Sequence, residues 1–173
     1  MLLPFAVFVI ATIGKEYLNK MVMITYNKTN SENLDFKKLV RELDIDLQAK
    51  DDKLHTFYSQ YNKIDKIKYV IVAYENKMPV GCGAIKQYSI DTMEVKRMYV
   101  PIINRGHGIA TKILTDLESW AKELNFKRCI LETGKKQTEA IQLYRKNGYL
   151  TISNYGQYEN IENSLCFEKK LKY

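Results

Sequence analysis

Hydrophobic and polar positions along the chain follow two patterns, one with the spacing of helices and one with that of strands. Apolar residues recur every three or four positions in four segments, which predicts amphipathic helices with one buried face. These segments are 34–47, 51–61, 108–124 and 138–146. Short runs rich in β-branched and aromatic residues, bounded by turn residues, predict seven strands. The runs are 21–26, 68–74, 80–88, 93–100, 127–132, 149–153 and 164–169.

The order of these segments predicts an α/β fold. A strand is followed by two helices, three strands, a helix, a strand, a helix and two strands. Short turns between consecutive strands favour hairpins, so we expect a central mixed, mostly antiparallel sheet of six to seven strands, flanked by about four helices. Gly81 and Gly83 predict a bulge or the close approach of another backbone within one strand. No repeat or low-complexity linker interrupts residues 21–173, which predicts a single domain.

Residues 1–20 form an apolar extension before the first predicted strand. The run Met1–Ile13 is too short to span a bilayer and lacks the basic region and cleavage site of a signal peptide. We interpret it as an over-extended start, with translation beginning at Met21 or Met23, and predict a cytoplasmic protein. An export signal or membrane anchor is the alternative interpretation.

The net charge of the chain and the distribution of its basic residues limit the classes of ligand that it is expected to bind. The chain has 173 residues and a formal net charge of +7, which suits nucleic acid, an acidic membrane surface or a polyanionic cofactor. The basic residues are spread along the chain without a Lys/Arg-rich block, so we expect a small anionic ligand and neither nucleic acid nor a membrane as partner.

Cysteine and histidine usage indicates neither disulfides nor metal. Cys82, Cys129 and Cys166 are odd in number and far apart, and each lies in an apolar, strand-like run. Buried free thiols in a reducing compartment are the simplest interpretation. The two histidines are isolated and no CxxC is present, so no metal is predicted.

The segment Arg105–Ala110 (RGHGIA) lies between a predicted strand and a long predicted helix. Two glycines allow a tight turn with free amides, and the helix N-terminus adds its positive dipole end, which together suit a phosphate or pyrophosphate. A dinucleotide-binding loop would follow the first strand, and a phosphate-hydrolysing loop would carry a Lys-Ser/Thr pair. Neither description fits this segment.

Two motifs resemble those of the GNAT superfamily of N-acetyltransferases. Arg105, Gly108 and Ala110 match its acetyl-CoA signature, Gln/Arg-x-x-Gly-x-Gly/Ala. Residues 140–149 (AIQLYRKNGY) are similar to its later A-x-x-L-Y-x-x-x-G-F/Y segment. The resemblance extends from about Met23 to Leu171 and implies acetyl-CoA as co-substrate and acetyl transfer to an amine.

The resemblance also implies which residues hold the cofactor. The backbone of Met98, Tyr99 and Val100 would pair with the pantetheine arm, and an amide near Met98 would polarise the thioester carbonyl. The pyrophosphate would be held by the loop amides, with the Arg105 side chain adding charged contacts. The loop residues are Arg105, Gly106, His107, Gly108, Ile109 and Ala110, although for His107 an exposed loop position is a better explanation than a phosphate contact.

Two residues are candidates for proton transfer. Tyr144 matches the family tyrosine that gives a proton to the departing thiolate; without the motif it would be interpreted as a core aromatic. Glu94 is the candidate general base, directly or through water, because relatives often carry a carboxylate early on this strand. The alternative for Glu94 is a strand residue in a salt bridge with Lys96 or Arg97, and both interpretations stay open.

The acceptor is not determined by the sequence. Tyr155 and Tyr158, in a loop between the last strands, and Tyr58, in the second predicted helix, are candidate acceptor-binding residues. A plain surface turn is the alternative for the loop. We expect a small cationic amine or a protein or peptide amine, attacked directly in a ternary complex, since none of the cysteines has a base beside it in sequence. A non-catalytic CoA-binding or sensing domain is the rival function, and homodimerisation is left open.

Overall fold

The computed structural model describes residues 23–51, 64–65 and 67–172, which form a seven-stranded sheet and three α-helices. The strands are β1 (Ile24–Thr29), β2 (Tyr69–Glu75), β3 (Met78–Gln87), β4 (Thr92–Tyr99), β5 (Arg128–Gly134), β6 (Leu150–Ile152) and β7 (Ser164–Lys170). The helices are α1 (Leu34–Asp51), α2 (Ile109–Glu123) and α3 (Thr138–Lys146).

The sheet has the order β1-β2-β3-β4-β5-β7-β6, and β4 and β5 are its parallel pair within this part of the chain. The predicted mixed, mostly antiparallel α/β sheet is therefore confirmed. The described residues contain three α-helices, whereas about four were predicted. The expected helix at 51–61 lies outside the described residues except for Asp51, which is the last residue of α1.

The two faces of the sheet are covered by different helices because side chains alternate along each strand. In β2, Val70 and Val72 belong to one apolar cluster, which contains Phe36 and Leu39 of α1. Ile71 and Ala73 belong to a second cluster with the apolar side of α2, formed by Ile113, Leu114 and Leu117. β2 thus connects two cores, and its run YVIVAYE is apolar on both faces for that reason.

Local capping explains where α1 begins. The Asn33 side chain accepts a hydrogen bond from the Phe36 amide at 2.8 Å, and its carbonyl accepts one from the Lys37 amide at 3.0 Å. These are the contacts of an N-cap, so Asn33 caps α1. The helix then continues to Asp51, four residues beyond its predicted end at Leu47.

A β-bulge distorts β4 opposite Gly83. Cys82 pairs with Tyr99 and Ala84 with Lys96, so Gly83 lies opposite two residues, Arg97 and Met98. Arg97 has a φ of 57°, in the left-handed region. Such an insertion bends a strand and reverses which face the following side chains point to.

Of the two roles predicted for the β3 glycines, the bulge is present beside Gly83, on the neighbouring strand β4. The close approach is made by side chains at both Gly81 and Gly83, and not by another backbone. A Cβ at Gly81 would lie 3.0 to 3.1 Å from side-chain atoms of Ile109, Ile113 and Val100. The missing side chains let α2 pack directly on β3 at the point where the neighbouring strand bulges.

β4 and β5 diverge soon after they begin to pair. Their pairing covers Thr92 to Glu94 on β4 and Arg128 to Ile130 on β5, although both strands continue for at least four more residues. The later part of β4 therefore has β3 on one side and an opening on the other. In the described part of the chain, no helix has the length and apolar character needed to cross a bilayer.

Replacing Gly83 with alanine should destabilise the fold. The new Cβ would lie 2.4 Å from Sδ of Met98 and 2.8 Å from Cγ2 of Ile113. Overpacking of this kind costs about 1–3 kcal/mol of unfolding free energy, which urea denaturation would measure. Met98→Ala shortens the obstructing side chain. The double mutant should therefore lose less unfolding free energy than the sum of the losses of the two single mutants. A Gly83→Ala protein as stable as wild type would contradict this packing.

Candidate active site

The glycine loop presents free backbone amides at the start of α2. Gly106 and Gly108 have φ values of 83° and 77°, a region that side-chain-bearing residues rarely adopt. The first intrahelical bond of α2 is donated by the Lys112 amide to the Gly108 carbonyl at 3.0 Å. The amides of residues 109–111 therefore have no partner within the helix and, with the helix dipole, form a cradle for an anion.

This loop forms one wall of a cleft that we call the cofactor cleft. Its other walls are the end of β4, α3 and the apolar side of α1, represented by Leu43 and Leu47. Most of the cofactor residues expected from the sequence line it: Met98, Tyr99, Val100, Arg105, Gly106, Gly108, Ile109 and Ala110. His107 does not line it; its side chain is exposed, with Nδ1 3.4 Å from the Asn104 carbonyl oxygen.

Arg105 connects three elements across the mouth of the cofactor cleft. Its Nε donates to the Val100 carbonyl at 2.9 Å. Its two terminal nitrogens form ion pairs with Glu139 of α3 at 2.6 Å and with Asp46 of α1 at 3.3 Å. The guanidinium thus stiffens the loop through carboxylates. Its expected contact with phosphate stays a prediction.

A second opening lies between the diverging strands β4 and β5, and we call it the acceptor cleft because Tyr158, a predicted acceptor-binding residue, lines it. Glu94 to Met98 line it on one side and Glu132 to Gly134 on the other. It shares several lining residues with the cofactor cleft: Leu43, Leu47, Met98, Gln137, Ala140 and Tyr144. The two clefts therefore meet where β4 and β5 separate.

Tyr144 lies at this junction. The side chain is 6% exposed and its ring makes an edge-to-face contact with Tyr149, at 5.8 Å between centroids. Burial, and secondarily the charge of Glu132, raise the pKa of the Tyr144 phenol well above its usual range. The phenol is therefore protonated at neutral pH. The ring packs in the core, as the alternative interpretation expects, and the residue also borders both clefts. Its role as the acid stays a prediction.

Glu94 projects into the acceptor cleft and has two partners. Its Oε1 accepts a hydrogen bond from the Tyr155 hydroxyl at 3.1 Å, and its Oε2 lies 3.2 Å from the Lys96 ammonium. The salt bridge that we considered as an alternative is present. It does not remove Glu94 from the cleft, which the carboxylate still lines at 8% exposure.

The candidate acceptor tyrosines form an aromatic cluster beside Glu94. Tyr155 packs edge-to-face on Tyr88 at 5.2 Å and on Tyr158 at 5.7 Å. Tyr158 is buried and lines the acceptor cleft. Burial and the neighbouring Glu94 charge raise the pKa of Tyr155. The loop is thus packed against the cleft and is more than a surface turn. Tyr58 lies outside the described residues.

Sequence reasoning missed Glu132. This carboxylate lines the acceptor cleft from β5, and its Oε1 accepts a hydrogen bond from the Ser164 hydroxyl at 2.6 Å. A signal was present in the alternation of β5. Cys129 and Leu131 face the core beneath α2, which places Ile130 and Glu132 on the opposite face.

The three cysteines are free and buried, as predicted. None of them lines either cleft. Burial raises the pKa of Cys129 to about 12 and that of Cys166 to about 11, so these thiols stay protonated at neutral pH and are poor nucleophiles. Residues 23–51, 64–65 and 67–172 contain no group of histidine, cysteine and carboxylate side chains arranged to hold a metal ion.

Comparison with known proteins shows to which family this chain belongs. The acetyltransferase (GNAT) family model matches residues 36–149, more than half of the chain. The chain belongs to this family. GNAT enzymes are acyltransferases, so the resemblance seen in the two sequence motifs and the fold expected from it are both confirmed.

Individual GNAT relatives agree with this placement. The IAA acetyltransferase of Azospirillum brasilense is 39% identical over 105 residues, which cover 58% of this chain and 67% of that protein. A Klebsiella pneumoniae protein assigned as an acyl-CoA N-acyltransferase has a TM-score of 0.74 at 28% identity, covering 87% of this chain and 99% of its own. A GNAT acetyltransferase from Elizabethkingia anophelis, solved with acetyl-CoA bound, shares the fold at a TM-score of 0.63 and 20% identity, covering 86% and 98% of the two chains.

Proposed function

We propose that this GNAT chain transfers the acetyl group of acetyl-CoA to a primary amine by direct attack in a ternary complex. The observation that carries the proposal is the meeting of two clefts at Tyr144. One cleft has an anion cradle and the other has a buried carboxylate, Glu94. A donor and an acceptor that entered these clefts would have their reacting groups at the same place.

The residues of the cofactor cleft fit acetyl-CoA. The side of β4 that faces the opening keeps unpaired backbone groups from Val95 to Tyr99, which suits the amide-bearing pantetheine arm as an added strand. The free amides at the start of α2 suit the pyrophosphate. Acetyl-CoA bound to a relative of the same fold supports the choice of this cofactor over other phosphorylated ligands.

The reaction requires two proton transfers, and the site offers one group for each. The amine nitrogen forms a bond to the thioester carbonyl carbon while the carbon–sulfur bond breaks. Glu94, directly or through water, takes the proton that the amine loses. Tyr144, whose pKa is raised by burial, gives its proton to the departing sulfur. The buried, protonated cysteines support direct attack over an acetyl-cysteine intermediate.

Replacing Tyr144 with phenylalanine should slow acetyl transfer without abolishing cofactor binding. The variant loses the acid for the leaving thiolate and keeps the ring, so kcat should fall about 100-fold or more, measured by thiol release. Calorimetric titration should show nearly unchanged affinity for acetyl-CoA.

Tyr149→Phe is the matched control for this change. Tyr149 is also buried and its ring touches that of Tyr144, but it lines neither cleft, so loss of its hydroxyl should leave kcat close to that of wild type. A Tyr144→Phe enzyme with the wild-type rate and pH profile would show that the acid is misassigned. A wild-type chain that binds acetyl-CoA but acetylates no amine in a broad library would instead support the rival CoA-binding function.

Replacing Glu94 with glutamine should make the enzyme depend on amine that is already unprotonated in solution. Activity at neutral pH should fall about 100-fold, and the remaining rate should rise more steeply with pH than that of wild type, because free amine increases up to a pKa of about 10. Initial rates between neutral and alkaline pH would measure both effects. Tyr155→Phe keeps the Glu94 carboxylate and removes one hydrogen bond to it, so a smaller loss of activity than in Glu94→Gln is expected. A Glu94→Gln enzyme with an unchanged pH profile would exclude Glu94 as the base.

A further inference from the structure

The cofactor cleft contains two cations that differ in their surroundings. Among the described residues that line it, Arg105 and Lys146 are positively charged, and Asp46 and Glu139 are negatively charged. The Arg105 guanidinium forms ion pairs with both carboxylates, at 3.3 Å and 2.6 Å, and its Nε donates to a backbone carbonyl. The charge of Arg105 is therefore already compensated within the protein.

Lys146 has no comparable partner. Within residues 23–51, 64–65 and 67–172, no carboxylate pairs with its ammonium group, and the side chain is exposed. An anion that enters the cofactor cleft can therefore bind Lys146 without first displacing a carboxylate of these residues. At Arg105 the same anion competes with Asp46 and Glu139.

The position of Lys146 on α3 places it on the wall of the cofactor cleft. Glu139, Leu143 and Lys146 follow one another at helical spacing along one stripe of α3, and all three line the cleft. A rise of about 1.5 Å per residue puts the Cα of Lys146 roughly 10 Å beyond that of Glu139 along the helix. Lys146 is thus set apart from the ion pairs of Arg105.

Helix stabilisation alone does not explain this position. Cations in the last turn of a helix interact favourably with its dipole, and both Arg145 and Lys146 lie in the last turn of α3. Lys146 lines the cofactor cleft, whereas Arg145 lines neither cleft. The two neighbours therefore have the same charge and the same helix turn, but differ in their access to a bound ligand.

The proposed cofactor has a phosphate group that the glycine loop does not account for. The free amides at residues 109–111 suit the pyrophosphate. CoA also carries a phosphate on the 3′ position of its ribose, and dephospho-CoA lacks only this group. A lysine ammonium is a compact point charge that suits a single phosphate of this kind.

We propose that Lys146 binds the ribose 3′-phosphate of CoA and thereby makes the cofactor cleft selective for CoA over dephospho-CoA. This inference rests on the proposed function, in which acetyl-CoA is the donor. Lys146 lines the cofactor cleft and not the acceptor cleft, so it is a specificity residue with no part in the proton transfers.

The test is calorimetric titration of the full chain with CoA and with dephospho-CoA at fixed ionic strength. Wild type should bind CoA about 10-fold more tightly. Lys146→Gln should lower the affinity for CoA about 10-fold and leave that for dephospho-CoA nearly unchanged, because one charge-assisted contact is lost. Lys146→Arg keeps the charge and should retain most of the preference for CoA.

Arg145→Gln is the matched control. It removes the same charge from the same turn of α3, at an exposed residue that does not line the cofactor cleft. Both affinities should therefore stay close to those of wild type. Thermal denaturation of each variant would show whether it remains folded.

The outcomes distinguish this inference from the function on which it rests. A loss confined to CoA and to Lys146→Gln supports the proposal. The 3′-phosphate assignment would be overturned, with acetyl transfer left intact, by a wild type without preference for CoA. A folded Lys146→Gln protein that keeps this preference, or loses affinity for both ligands by the same factor, would also overturn it, as would an equal loss in Arg145→Gln. A wild-type protein that binds neither ligand would overturn the cofactor assignment as well.

Discussion

The early separation of β4 from β5 is the constraint on which the site depends. Parallel strands normally continue their ladder, yet this pair stops at Glu94 and Ile130 while both strands run on. The opening leaves the backbone of β4 unpaired on one side and creates the junction of the two clefts. The bulge opposite Gly83 lies in the same strand and bends β4. Before the bulge, Val95 faces α2, and after it, Tyr99 faces α1. Packing of α2 on the bare backbone of Gly83 holds this distorted strand in place.

The separation also divides the charged groups between the two faces of the sheet. Tyr144 belongs to the core on the α2 face, whereas Glu94 and Glu132 lie on the opposite face. The proposed acid and base therefore reach the opening from opposite sides, which keeps the two proton transfers apart. Burial keeps the Tyr144 phenol protonated. Glu94 has Tyr155 and Lys96 as hydrogen-bonding partners.

Much of the fold could be predicted from the sequence because the signals that mark helices and turns are local. The bounds of α3 were predicted to the residue, and the helix after the glycine loop within one residue at each end, since apolar spacing and turn glycines mark them. The loop and Tyr144 were found through motifs of fixed spacing. Glu132 and the Arg105 ion pairs were not found, because they depend on contacts between residues far apart in the chain. A bulge was predicted at the β3 glycines, but its location in β4 was not, because that location depends on how the two strands pair.

We propose that the opening beside β4 and the loop before α2 form one acetyl-CoA site. Amide hydrogen exchange with and without acetyl-CoA tests it most directly, because both parts are proposed to act through backbone N–H groups. Acetyl-CoA should slow exchange at residues 98–100 and 106–111 and leave exchange in the distant strand β1 unchanged. Saturating acetyl-CoA that protects neither segment, or that protects amides elsewhere instead, would contradict it.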